Sequence, residues 1–171
     1  MSQRDCGTCT LCCKVFDVPP VNKKQGVWCQ HCAPGRGCGI HATRPQFCRD
    51  FHCLWIADQS FGPEWKPETS KFVLNLDQGG RRLAIVPDPG SPNAWKREPY
   101  GPRLREIAGE FLAQGRNVVV FDSIWKTLIL PDGEVRLGKR EERVRYEVRP
   151  EPAGAGVKYR VVFLETPEAA A

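Results

Sequence analysis

The residues of this sequence that could bind a soft metal ion or react as a thiol all lie in one stretch. Nine cysteines and three histidines fall between residues 6 and 53, and neither residue type occurs from Leu54 to Ala171. Thiolate and imidazole groups are the ligands that zinc and iron–sulfur centres use. The candidate metal ligands are all of the cysteines: Cys6, Cys9, Cys12, Cys13, Cys29, Cys32, Cys38, Cys48 and Cys53.

The spacing of these cysteines favours shared ligation of an ion. One block, beginning at Cys6, reads CGTCTLCC, and a second, beginning at Cys29, reads CQHCAPGRGCGIHATRPQFCRDFHC. Each block opens with a C-x2-C pair, which can direct two sulfurs at one ion across a tight turn. Nine thiols exceed the roughly four that one tetrahedral zinc site or one iron–sulfur cubane needs. Two metal centres, or one centre with spare thiols, are both consistent with this count.

A disulfide framework is the main alternative, and three features weigh against it. The sequence opens without the apolar core of a signal peptide, the cysteine count is odd, and Cys12 and Cys13 are adjacent. No apolar run approaches the roughly 18 residues of a membrane span. Because thiols stay reduced in the cytosol, we expect a reduced, cytoplasmic protein with no membrane association.

The histidines are weaker candidates than the cysteines. His31 lies inside the second C-x2-C pair, so its ring cannot easily reach the same ion as that pair. We expect His41 to pack beside Arg44 and His52 to lie beside the last cysteine, each as a surface residue or as a hydrogen-bond donor near the metal. Arg44 and Arg49 could donate to thiolates or backbone carbonyls, or form a solvated salt bridge to a nearby aspartate.

The order of these motifs resembles the bacterial CxxCxxCC cysteine-cluster family, whose members are described as zinc- or iron-chelating. The resemblance runs through CGTCTLCC, WCQHC and GCGIHATRPQFCRDFHC and covers about the first third of the chain. The sequence departs from the family pattern at Cys32, where an aliphatic residue is common, and at His41, where a tyrosine is expected. The resemblance implies metal binding and supplies no particular reaction.

The predicted fold class is α+β, with a Cys-rich, metal-stapled N-terminal module packed on a small antiparallel β-sheet that has one main helix. Residues 1–58 form the cysteine-cluster module, which contains few apolar residues and many prolines and glycines, so a metal is expected to supply folding energy. Residues 59–69 are predicted to be a linker. Residues 70–165 form the antiparallel sheet and helix, packed with the module as one compact unit.

Local patterns predict the individual elements of this second part. A helix opens at Gly101-Pro102, carries apolar residues at helical spacing, and ends before Gly115. Turn signals predict two hairpins, and alternating or continuous apolar runs predict three further strands. The predicted strands cover residues 71–76, 81–86, 117–121, 125–130, 134–137, 143–148 and 157–164.

The composition excludes some functions and leaves others open. The net charge of +5 is mild and no Lys/Arg run is dense, so there is no strong nucleic-acid signal. No phosphate loop, dinucleotide fingerprint or nucleophile elbow is present, and Asp122 at a strand end is better explained as a turn cap than as a catalytic carboxylate. Whether the protein is an enzyme stays open.

Three hypotheses from different classes follow from the cysteine stretch. The first is a zinc-binding protein whose cluster is structural, with the sheet and helix surface meeting a protein partner. The second is an iron–sulfur or iron protein used in redox chemistry or sensing. The third is a metal carrier or a metal-dependent modifying enzyme, which would need an open coordination position.

Overall fold

The computed structural model describes residues 4–154 and 156–165, and within them the chain forms a mixed α+β fold. The helices are α1 (Cys12–Val15), α2 (Gln46–Asp50), α3 (Leu54–Ala57), α4 (Pro67–Ser70) and α5 (Tyr100–Leu112). The strands are β1 (Cys32–Ala33), β2 (Gly37–Cys38), β3 (Phe72–Asp77), β4 (Arg82–Pro87), β5 (Asn117–Phe121), β6 (Trp125–Leu130), β7 (Gly133–Lys139), β8 (Arg145–Ala153) and β9 (Gly156–Leu164). Among the helices of these two ranges, none is long and apolar enough to cross a membrane.

The central sheet is mixed, so the prediction of an antiparallel sheet is wrong at one pair of strands. Its order is β3-β4-β5-β6-β7. The pair β4 and β5 is parallel, while the other neighbouring pairs are antiparallel. Helix α5 lies between β4 and β5 in the chain and returns it to the same end of the sheet, as a parallel connection requires.

Helix α5 agrees with the sequence pattern and covers one face of this sheet. It begins at Tyr100, slightly before the predicted start. At its other end the amide of Arg116 donates to Phe111 at 2.8 Å and that of Gly115 donates to Leu112 at 3.0 Å, while Gly115 has φ +67°. This pair of bonds is a Schellman motif, which confirms the predicted role of Gly115.

Side-chain alternation along the strands gives the central sheet two different faces. The helix face (Leu74, Ile85, Val118 and their neighbours) packs on α5 and forms the largest core cluster. The opposite face is covered in two places. Leu11 and Val15 pack on its β3 and β4 end, and the β8–β9 hairpin packs on β5, β6 and β7.

The β8–β9 hairpin forms a two-stranded sheet of its own. The two strands were predicted, at residues 143–148 and 157–164, but in the structure they are longer, and the described part of the chain does not join them to the central sheet. Tyr146, Val148, Tyr159 and Val161 point to the central sheet and pack against its opposite face. The hairpin therefore acts as a cover over the core.

The segment predicted as a linker, residues 59–69, is part of the core instead. Trp65 is only 5% exposed, and its ring lies 5.1 Å from that of Phe61, 5.9 Å from Phe72 and 5.0 Å from Tyr100 between centroids. Pro63 and Pro67, which suggested a linker, each lie at the start of a short helix. Proline is well tolerated there because the first turn of a helix has no use for its missing amide hydrogen.

Candidate metal centre

Short elements position the nine thiols, which come from three parts of the chain. The first two C-x2-C cysteines lie in the loop before α1, which begins with the vicinal pair Cys12 and Cys13. Strands β1 and β2 pair Cys32 directly with Cys38. Cys48 lies in α2 and Cys53 immediately precedes α3. All nine are free thiols and half-buried.

Both C-x2-C pairs form tight turns, as the spacing predicts. The backbone amide of Cys9 donates to the carbonyl of Cys6 at 2.8 Å, and that of Cys32 donates to Cys29 at 3.0 Å. A third backbone bond, 3.0 Å from the amide of Cys29 to the carbonyl of Cys13, ties the second turn to α1. The bond between Cys29 and Cys13 thus joins the two cysteine blocks through the backbone, without a contribution from a metal.

Three thiols form a first neighbourhood, the Cys6 group (Cys6, Cys9 and Cys53). Burial raises the pKa of Cys6, and the adjacent Cys9 raises it further. Burial also raises the pKa of Cys53 to about 11, with the backbone amides at the start of α3 acting in the opposite direction. Burial raises the pKa of Cys9 as well, opposed by the amide of Leu11. Cys9 acts on Cys6, and both act on Cys53, so the three sulfurs lie within electrostatic range of one another. Cys13 also acts on Cys6.

Six thiols form a second neighbourhood, the Cys13 group (Cys12, Cys13, Cys29, Cys32, Cys38 and Cys48). The largest cause of the raised pKa of Cys13 is its interaction with the Cys12 thiol, followed by burial. Burial raises the pKa of Cys32 to about 12, and Cys13 adds to the rise. Burial is also the largest cause of the raised pKa of Cys48, followed by the charges of Cys13, Cys29 and Cys38. Cys32, which departs from the family pattern, is therefore within this group.

Two buried polar residues lie beside the Cys13 group, and the sequence patterns did not predict either of them. Lys23 is only 4% exposed and its charge acts on Cys13 and Cys29. Thr10 is also buried. Its hydroxyl accepts the amide of Gly35 at 3.1 Å and lowers the pKa of Cys32. A lysine or threonine beside turn residues gives no local sign of burial, which long-range packing decides.

The histidines and arginines behave mainly as surface residues. His41 and His52 are exposed, and the ring Nδ1 of His41 lies 3.2 Å from Nη1 of Arg44. The same Arg44 nitrogen donates to the His41 carbonyl at 2.7 Å, while the Arg44 charge lowers the pKa of Cys6 and Cys48 against the larger effect of burial. Arg49 donates to Gln46 at 3.1 Å. Arg44 is thus the arginine that acts on the thiols.

Asp122 serves as the predicted turn cap. Its Oδ1 accepts the backbone amides of Ile124 at 2.7 Å and Trp125 at 2.6 Å, before β6. A carboxylate occupied by two amides of its own turn has a structural role. The cysteines therefore remain the candidate reactive or metal-binding residues.

The thiols are gathered but not arranged as a finished coordination sphere. Across residues 4–154 and 156–165, no three or more His, Cys, Asp and Glu side chains are placed so that they could hold a metal ion together. The donor set fits a soft or borderline ion, since it consists of half-buried thiols with a lysine and an arginine nearby. No protein-family model, curated protein or solved structure matches the chain.

Proposed function

We propose that this chain is a metal-binding protein that uses its cysteine cluster to chelate zinc in a structural or interaction role. The observation that carries the proposal is the convergence of nine free thiols, from three parts of the chain, into the Cys6 group and the Cys13 group. Free cysteines scattered through a core as small apolar residues would have no reason to gather. The resemblance of the motifs to the CxxCxxCC family supports the same reading.

The local charges favour a dication among these thiols. Four thiolates around one Zn²⁺ leave a net charge of about −2. Lys23 and Arg44 provide positive charge beside the Cys13 group. In the Cys6 group, Arg44 acts on Cys6, and Lys66 acts on Cys9 against the larger opposite effect of Glu68. Backbone amides near Cys9 and Cys53 stabilise negative sulfur in the same way. Both groups therefore have positive partners for bound thiolates.

The cysteine segment, residues 6–53, also has few other means of holding its shape. Its helices α1 and α2 have four and five residues, and its strands β1 and β2 have two each. Its buried apolar residues are limited to Leu11, Val15 and Val18. When so little apolar surface is buried, the free energy of metal binding becomes folding free energy. A structural metal fits this need.

Elemental analysis of the full chain, purified with reductant and without oxygen, tests the proposal. We expect a colourless solution with about two zinc ions per chain, since nine thiols are enough to supply all the ligands of two four-coordinate sites. A brown preparation rich in iron would replace zinc with an iron–sulfur centre. Less than about half an equivalent of any metal would contradict metal binding altogether.

A further inference from the structure

A cavity of about 260 Å³ lies on the opposite face of the central sheet, and no cysteine lines it. Asn75 of β3 and Ala84 of β4 form its floor, Phe16 lies on the side of the cysteine segment, and Phe121 and Arg140 lie on the other side. Phe121 packs in both clusters that cover this face. The cavity therefore lies where the cysteine segment and the β8–β9 hairpin leave the sheet uncovered.

Two guanidinium groups line the cavity with part of their hydrogen-bonding capacity unused. Arg82 donates through Nε and Nη2 to Asp77 at 2.8 and 2.6 Å. Arg140 donates through Nη1 to the carbonyls of Phe121 at 3.0 Å and Asp122 at 2.9 Å. Within the described residues, Nη1 of Arg82 and both Nε and Nη2 of Arg140 have no protein acceptor. These donors remain for a ligand.

The aromatic ring of Phe121 holds both guanidinium groups at the cavity. The Arg82 guanidinium carbon lies 4.7 Å from the ring centroid and that of Arg140 lies 5.6 Å from it. A guanidinium over an aromatic face gains a cation–π attraction, and its planar fork suits bidentate recognition of an oxyanion. Both arginines thus contact the same ring at the cavity.

Asn75 supplies a buried acceptor that lacks a donor. Its Oδ1 is inaccessible to solvent and has no hydrogen-bond partner in the part of the chain that the structure describes. An unsatisfied buried acceptor costs about 1 to 3 kcal/mol. A ligand N–H or O–H would recover that free energy if the Asn75 side chain turned its Oδ1 toward the cavity. Asn75 lies two residues along β3 from Asp77, the partner of Arg82, which corresponds to about 7 Å.

The charge balance selects the kind of anion. Arg82, Arg140 and Asp77 give the lining a formal net charge of +1. A carboxylate, with one negative charge, neutralises this lining, whereas a phosphate ester of about −1.5 to −2 would leave excess negative charge beside Asp77. Phe16, Ala84 and Val86 provide apolar walls for the remainder of a ligand.

We propose that this cavity binds a small organic carboxylate that also carries a hydrogen-bond donor. The carboxylate pairs with Arg82 and Arg140, the donor satisfies Asn75 Oδ1, and an apolar body joins the two between Phe16 and Phe121. No cysteine lines the site, although Phe16 belongs to the cysteine segment.

A titration followed by amide NMR of the full chain, in reductant, tests the site. The probe is 4-aminobenzoate, which carries a carboxylate and an amine at opposite ends of a ring. We expect saturable shifts at the amides of Asn75, Ala84 and Phe121, with weaker binding of benzoate, which lacks the donor, and of aniline, which lacks the anion. Absence of saturable shifts, or tighter binding of phenyl phosphate, would overturn the proposal.

Matched variants locate the binding. Arg82→Gln should weaken 4-aminobenzoate about tenfold or more, the loss expected for a charge-assisted hydrogen bond. Arg81→Gln, the same change at the adjacent exposed residue, should leave the affinity unchanged. Where Arg82→Gln fails to fold, Ala84→Leu fills the cavity without removing a charge and should abolish binding. Undiminished binding by either cavity variant would overturn the proposal.

Discussion

Lys23 is the buried cation of the cysteine segment. Its Nζ donates to the carbonyl of Lys14 at 2.6 Å and to that of Phe16. Burial lowers its pKa, and the negative charges of Cys13 and Cys29 act to raise it. Lys23 therefore has two roles. It hydrogen-bonds to the backbone at the end of α1, and it places positive charge beside the Cys13 group.

Replacing this buried cation should destabilise the protein. Lys23→Met leaves two backbone carbonyls without their donor, so we expect the free energy of unfolding in urea to fall by about 2 kcal/mol. Lys24→Met, at the adjacent exposed position, serves as the matched control and should change it by less than about 0.5 kcal/mol. Equal effects of the two substitutions would contradict the buried position of Lys23.

Cys13 raises the pKa of three other thiols, Cys6, Cys32 and Cys48, which makes it the sharpest single test of ligation. Cys13→Ser should lower the zinc content of the purified chain and lower its Tm, since metal binding and folding are linked. Chelator-treated wild-type protein provides the reference, and its Tm should fall to a similar value. Unchanged zinc content and Tm would remove Cys13 from the ligands.

At the scale of elements, a salt bridge joins α1 to the loop after β4. Lys14 Nζ lies 2.6 Å from Asp88 Oδ1, and both side chains are largely shielded from solvent. Burial acts to raise the pKa of Asp88, but the hydrogen bonds from Lys14 and from the Gly90 amide outweigh it, so the pKa lies below its usual value. This contact attaches the cysteine segment to the central sheet.

The lowered pKa gives this contact a defined pH dependence. A carboxyl with a pKa lower in the folded than in the unfolded chain stabilises the fold above about pH 4, and this contribution disappears as the pH falls through the folded-state value. Asp88→Asn should therefore reduce the free energy of unfolding by about 1 to 2 kcal/mol at pH 7, and the difference should narrow at acid pH. Urea unfolding at both pH values measures it.

The control for this prediction is Glu141→Gln, which removes an exposed carboxylate elsewhere. It should leave the unfolding free energy nearly unchanged at both pH values. A gap between Asp88→Asn and the wild type that persists undiminished in acid would show that the loss has another cause.

Local sequence patterns predicted the hairpins and α5, but they did not predict which distant strands pair with each other. The turn residues of the hairpins and the helical spacing of α5 act over a few positions, so these elements were predicted nearly in place. The parallel pairing of β4 with β5 depends on the path of the chain through α5, which a local pattern does not contain. In the same way, the C-x2-C turns were predicted, but the division of the thiols into two groups was not.

At the scale of the molecule, the opposite face of the central sheet carries both the cysteine segment and the β8–β9 hairpin. The helix face has an extensive core of its own around α5. The helix face is therefore stabilised by its own apolar core, whereas part of the opposite face is covered by the cysteine segment. Loss of metal should loosen the cysteine segment and leave the core around α5 intact.

Hydrogen exchange of the full chain before and after chelation measures this difference. We expect amides of residues 6–53 to lose protection on metal removal, while amides of β4, β5 and α5 keep theirs, since regions of a protein can open separately. A return of protection on adding zinc is the control. Uniform loss of protection throughout the chain would show that the core around α5 depends on the metal as well.

The β8–β9 hairpin also bears on how the protein avoids aggregation. Strand edges left without a partner can add strands from other chains, and proteins limit this with charged side chains and prolines. Exposed Arg145, Glu147 and Arg149 alternate along β8, and Pro150 and Pro152 follow them without amide hydrogens to offer. The β8 edge of the hairpin is thus poorly suited to adding strands from other chains.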